Sequence, residues 1–164
     1  MRPALLATLA LLAGAPAEAA GPLAPTRPSD VVALAASFEP PTCAGGTIGA
    51  TLDRRMTPEG TYVPVAVPAK RVLVVTELRW VVDTLPNVEV AAIVRTGPEV
   101  GGFIGLVLPG ARSDANGRAI GEEKLDPGIV VRNPAELCVV VFPSGGSVIA
   151  PGNLSGSGFF AKDN

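Results

Sequence analysis

The sequence predicts an all-β fold: an antiparallel two-sheet β-sandwich, jelly-roll-like, formed by residues 31–164. Three observations carry this. Short β-rich runs recur at roughly 8–12-residue spacing between turn signals, the rhythm of sandwiches and barrels. No segment keeps a 3.6-residue apolar stripe beyond two turns, as an amphipathic helix would require. The chain of 164 residues holds 19 Gly and 17 Pro, enough turn formers to punctuate many short strands.

Residues 1–19 read as a secretory signal peptide. Arg2 is the positive n-region, Ala4 to Ala13 the apolar h-region, Gly14 and Pro16 the helix breakers, and Ala17-Glu18-Ala19 the small-residue cleavage site. The mature chain is expected to begin near Ala20 or Gly21 and to be secreted or periplasmic. The h-region is too short for a membrane span, which needs about 20 apolar residues. Residues 20–30 are a Pro-rich leader. Val31 to Phe38 fits a strand or a short helix, and the period does not separate the two. Ile48 to Leu52 reads as a short strand, and Asp53 to Gly60 as a polar loop.

The clearest pattern runs from Tyr62 to Thr84. Val63, Val65 and Val67 alternate, Pro68-Ala69-Lys70 turns, and a long strand follows. Strict alternation puts Val72, Val74, Thr76, Leu78, Trp80 and Val82 on a core face. It leaves Leu73, Val75 and Val81 among the charges of Arg71, Glu77, Arg79 and Asp83. Pro86-Asn87 turns into a strand over Val88 to Arg95. Phe103 to Leu108 is a continuous apolar run, as expected of a strand covered on both faces. Asn116-Gly117 is a type I′ hairpin pair, and Asp126-Pro127-Gly128 a further turn. Ile129 to Arg132, Leu137 to Phe142 and a last strand near Leu154 to Ala161 complete the set.

VPAKRVLVVTELRWVV resembles the VPAG-x-x-LVI strand pair of small exported bacterial jelly-roll or β-sandwich proteins of no established activity. GIVVRNPAELCVVV is similar to their second such unit, and LSGSGFFAKDN resembles their closing strand. Ala69 stands where the pattern has Gly. The resemblance implies strands and turns and carries no catalytic residue with it.

Composition restricts the chemistry. There is no histidine, which removes imidazole bases, Ser-His-Asp and Cys-His catalysis, and every His-containing metal site. The net charge of −2 and the scattered cations lack the basic face a nucleic-acid binder needs. Cys43 and Cys138 are the only cysteines, and an exported chain with two cysteines pairs them. Neither has an imidazole, a C-x-x-C partner or an adjacent basic residue in sequence. Closing so long a loop removes roughly 4–5 kcal/mol of unfolded-state entropy.

The remaining candidates for chemistry have simpler explanations. Glu122 and Glu123 are adjacent, so on a strand they face opposite ways and cannot serve one glycosidase site. Asp114-Ala115-Asn116-Gly117 begins like a calcium loop, but Ala119 and Leu125 occupy the positions where an EF-hand needs Gly and Glu. G-x-S-x-G, S-x-x-K and P-loop patterns are absent. Trp80 is in phase with the apolar face and reads as core. Tyr62 and Phe103 lie near turns, where exposed rings are at home.

The sequence therefore points to an exported, non-catalytic structural or interaction domain with no cofactor and no metal. Self-association through the half-apolar face of Leu73, Val75 and Val81 is one expectation. The alternative is a module for glycan or other envelope components, using Tyr62 and Phe103. A histidine-independent hydrolase is the second alternative.

Overall fold

The computed structural model describes residues 24–36, 43, 48–96, 104–133 and 137–163. Residues 1–19, expected from the sequence to be a signal peptide, and Phe103 lie outside the described residues. Among the described residues, one 3-10 turn (Pro28–Asp30) leads into ten strands: β1 (Val31–Ala35), β2 (Ala50–Thr51), β3 (Arg54–Met56), β4 (Tyr62–Pro64), β5 (Arg71–Asp83), β6 (Glu89–Thr96), β7 (Ile104–Arg112), β8 (Arg118–Val131), β9 (Leu137–Pro143) and β10 (Asn153–Lys162). The larger sheet has the order β4-β3-β1-β10-β5-β8 and the smaller β2-β9-β6-β7. All pairings are antiparallel. Among the described residues, no helix is long and apolar enough to cross a membrane.

The two sheets share one core. Leu73, Val75, Leu78, Trp80 and Val131 from the larger sheet pack with Val90, Ala92, Val94, Val139 and Val141 from the smaller. The element that decides its composition is β5. Val75 pairs with Gly158 and Glu77 with Ser157 on β10, which leaves Thr76 as an extra residue. An extra residue on one strand reverses the in-out alternation beyond it. Before Thr76 the odd positions Leu73 and Val75 face the core; after it, the even positions Leu78, Trp80 and Val82 do.

Uniform alternation is therefore corrected at two of the candidate interface residues. Leu73 and Val75 are fully buried between the sheets and are not available to a partner. Val72 and Val74 take the outer face instead, in a small cluster with Phe159 and Ala161. Val81 does lie on the outer face, half-buried, paired with Asn153 on one side and Ile120 on the other.

Other expectations shift for local reasons. Val31–Ala35 is a strand. The polar segment after Leu52 is not all loop: Arg54–Met56 pairs with both β1 and Tyr62–Pro64. Val65 and Val67 pack on the core from outside any strand. Residues 118–131 form one long strand, with Pro127 and Gly128 accommodated as an irregularity where β8 is longer than β5 between Val75 and Glu77. β7 is not covered on both faces: Val107, on its outer face, is 62% exposed.

Asn116-Gly117 is not a type I′ pair. Gly117 has φ 84° while Asn116 does not adopt positive φ, and the turn is closed by the Asp114 carboxylate, which accepts from the amides of Asn116 and Arg118 at 2.8 Å. This turn carries the chain from one sheet to the other. The crossing after β5 lies beside it, and buried Ser113 locks the two: its hydroxyl donates to the Leu85 carbonyl at 2.7 Å and accepts from the Val88 amide at 2.9 Å.

Asp30 fastens the start of β1. Its carboxylate accepts from the Thr26 hydroxyl (2.8 Å), the Arg27 amide (3.0 Å) and Arg71 Nη1 (2.7 Å). The Thr26 hydrogen bond, followed by the Arg71 charge, holds this carboxyl below its ordinary value of 3.8. A carboxyl depressed on folding adds stability that is complete above the ordinary value and is lost as pH falls through the folded one. Asp30→Asn is thus expected to be less stable than the parent by a constant margin from pH 5 to 8. That margin should narrow below about pH 4. Urea denaturation across pH reads it, and a margin independent of pH into the acid range would contradict the assignment.

Candidate functional site

Three of the four sheet ends are blunted, and the fourth is not. β2 has two residues. β4 has three and includes Pro64. β8 carries Arg118, Glu122, Glu123, Lys124 and Asp126 and is interrupted at Pro127 and Gly128. β7 pairs regularly with β6 from Ile104 to Leu108, opposite Thr96 to Ala92, before a register shift at Pro109 and Gly110. Those five residues hold neither a charge nor a proline. An edge strand of this kind presents unpaired backbone groups as a template for another strand.

A cleft of about 310 Å³ opens between this edge and β8. One wall is Leu106 to Pro109; the other is Glu123 to Ile129. Leu108 and Leu125 are buried at its base, whereas Leu106 and Val107 remain 45% and 62% exposed. Leu106 is opposite core residue Val94 and so faces inward; Val107 is opposite Ile93 and faces out. Glu123 pairs with Leu78 and is in phase with buried Gly121 and Ala119, so it also faces inward, while Glu122 and Lys124 pair with Arg79 and Glu77 on the outer face. Glu123 is half-buried, and no hydrogen bond or ion pair reaches it from the described residues.

The two adjacent glutamates are thus on opposite faces, as extended backbone requires. Chemically, the cleft can bury apolar side chains and meet one cation. Among the described residues, no group of three His, Cys, Asp or Glu is placed to hold a metal.

The site expected from sequence is dispersed. Tyr62 is 53% exposed, on the opposite end of the larger sheet from β8, with Met56 as its exposed cross-strand partner. Val81 is on the outer face, and Leu73 and Val75 are core. These residues do not converge. Sequence reasoning passed over Leu106, Val107 and Glu123, because an apolar pentad reads as a covered strand unless its sheet order is known. The signal available was the absence of any charge from 104 to 111, against the many on β8.

Cys43 and Cys138 form a disulfide with a Cα–Cα distance of 5.6 Å. Cys138 is on the outer face of β9, where it packs with Cys43 and Val140 under Phe142 and Val148. Arg95 is its cross-strand neighbour on β6, a basic residue brought beside the cysteine by the fold and not by sequence.

No family model, curated protein or solved structure matches the chain.

Proposed function

We propose that this protein is an exported, non-catalytic interaction domain, built as a jelly roll and binding through the β7 edge and its cleft. The strand order supports the jelly-roll reading. The pairs β1–β10, β2–β9, β5–β8 and β6–β7 nest inside one another, as in one long antiparallel ribbon rolled into two sheets. The disulfide and the N-terminal signal-peptide pattern support export. Mass spectrometry of the exported protein should find the first ~19 residues missing.

One observation carries the binding reading: the uncharged β7 edge, unpaired among the described residues, lies directly beside an apolar cleft, while every other sheet end is short or charged. A photo-crosslinking residue at Val107, compared with one at exposed Leu85, tests it. In envelope extract, position 107 should give a discrete adduct, its partner identified by mass spectrometry, that position 85 does not. Equal labelling at both positions, or none at 107, would overturn the reading. An adduct of twice the chain mass would identify the interaction as self-association.

A further inference from the structure

We propose that the β7 edge takes an extended peptide strand of another protein, anchored by a lysine or arginine side chain that meets Glu123. This rests on the binding reading above and specifies its partner.

A strand added to β7 would continue the smaller sheet by main-chain hydrogen bonds, and its side chains would alternate between the two faces. Those pointing inward enter the cleft, where Leu106, Leu125, Pro127 and Ile129 offer apolar surface. Apolar side chains at alternate positions of the incoming segment match that lining.

Glu123 sets the remaining requirement. A half-buried carboxylate against apolar walls loses hydration and regains it only from a partner. Lys124 lines the same wall, but it lies opposite Glu77 on the outer face of β8, and among the described residues it forms no ion pair with Glu123. Exposed Asp126 is on the same wall, so the wall's two carboxylates outnumber its one lysine. The cleft is therefore complementary to a cation on an inward-facing position of the added strand.

The same charge argument selects a foreign peptide over a second copy. The obvious self-pairing joins β7 to β7 across a two-fold axis. The one basic residue of β7 is Arg112 at its far end, beyond the register shift and 3.9 Å from Glu89, so such a dimer would place no cation along the run 104–111 that faces the cleft.

The experiment uses the mature protein and a fluorescein-labelled peptide, Thr-Val-Thr-Arg-Thr-Val-Thr, in which valine and arginine share one face. Fluorescence polarisation compares it with the same peptide carrying norleucine for arginine, and with one N-methylated at alternate residues. The arginine peptide is expected to bind about tenfold tighter than the norleucine peptide. Glu123→Gln should reduce that preference to within about twofold while retaining norleucine-peptide binding. The N-methylated peptide should not bind, because its main-chain donors are blocked.

Equal affinity for the arginine and norleucine peptides would overturn the role of Glu123 and leave the edge reading standing. Binding that survives N-methylation would overturn strand addition. A concentration-dependent dimer by light scattering that excludes all peptides would make the occupant a second copy. No binding by any peptide, together with no adduct at position 107, would overturn the binding reading as well.

Discussion

Replacing Trp80 by alanine is expected to lower the stability of the domain by about 3–5 kcal/mol, the cost of emptying a large aromatic site in a packed core. The indole is 1% exposed and is among the largest fully buried side chains. It is held by a specific complementarity with β8. Gly121 is its cross-strand partner, and a Cβ at position 121 would collide with Cε2, Cζ2 and Nε1 of the indole.

Gly121→Ala is therefore expected to be destabilising too, by about 1–3 kcal/mol for overpacking. The two sites share one volume, so their effects should not add. With Trp80 shortened to leucine, the methyl of Gly121→Ala has space, and the double variant should be more stable than the sum of the single losses allows. Urea denaturation of the four proteins gives the cycle. Additive losses would mean that the ring and the glycine are not in register.

Reducing the Cys43–Cys138 bond, or replacing Cys138 by alanine, is the second large effect, at about 2–5 kcal/mol. The bond closes a separation of 95 residues and joins the segment before β2 to the outer face of β9. Cys43 itself is buried against that face. Without the link, Val140, Phe142 and Val148 keep their apolar surfaces but are no longer tied to Cys43, which packs with them.

Gly49 shows how closely the chain is fitted there. A Cβ on it would stand 2.6 Å from Cys43 Sγ and 2.9 Å from Cys138 Sγ, inside ordinary contact distance for carbon and sulfur. Thermal unfolding with and without reductant should differ by on the order of 10 °C. Gly49→Ala should lower the melting temperature in the oxidised protein and have a smaller effect in the Cys43→Ala, Cys138→Ala background. An unchanged melting temperature on complete reduction would show that the sandwich does not rely on the bond.

These two sites also show how far a sequence of this kind can be read. Trp80 is legible as core because its apolar neighbours Leu78 and Val82 are two residues away on one strand, and that spacing is local. The disulfide is legible because only two cysteines exist and the chain carries an export pattern. Uniform alternation puts Leu73 and Val75 on the wrong face for an equally definite reason. Val72 to Val75 are all apolar, so the run contains no contrast to mark a change of phase, and Thr76 alone gives little notice that it is a bulge. The bulge becomes visible only when β10 is placed alongside and its register fails to match.

The candidate binding site lies further from reach. Leu106 and Val107 have the composition of a buried strand, but Leu106 faces the open cleft at the sheet's edge and Val107 an outer face that nothing among the described residues covers. Glu123 looks like one half of a surface pair until β8 is extended beside β5 and the glutamate is turned inward opposite Leu78. Tyr62, by contrast, is exposed as its position near a turn suggested, and it sits at the other end of the larger sheet from the cleft.

By itself, then, the sequence determined the all-β class, most strand positions, the burial of Trp80 and the pairing of its two cysteines, because each depends on local alternation, turn formers or a count. Tertiary structure decided which face of β5 is core, which sheet ends are open and which carboxylate faces the cleft. Those properties belong to strand order and register, and they arise only when segments distant in the chain are laid side by side.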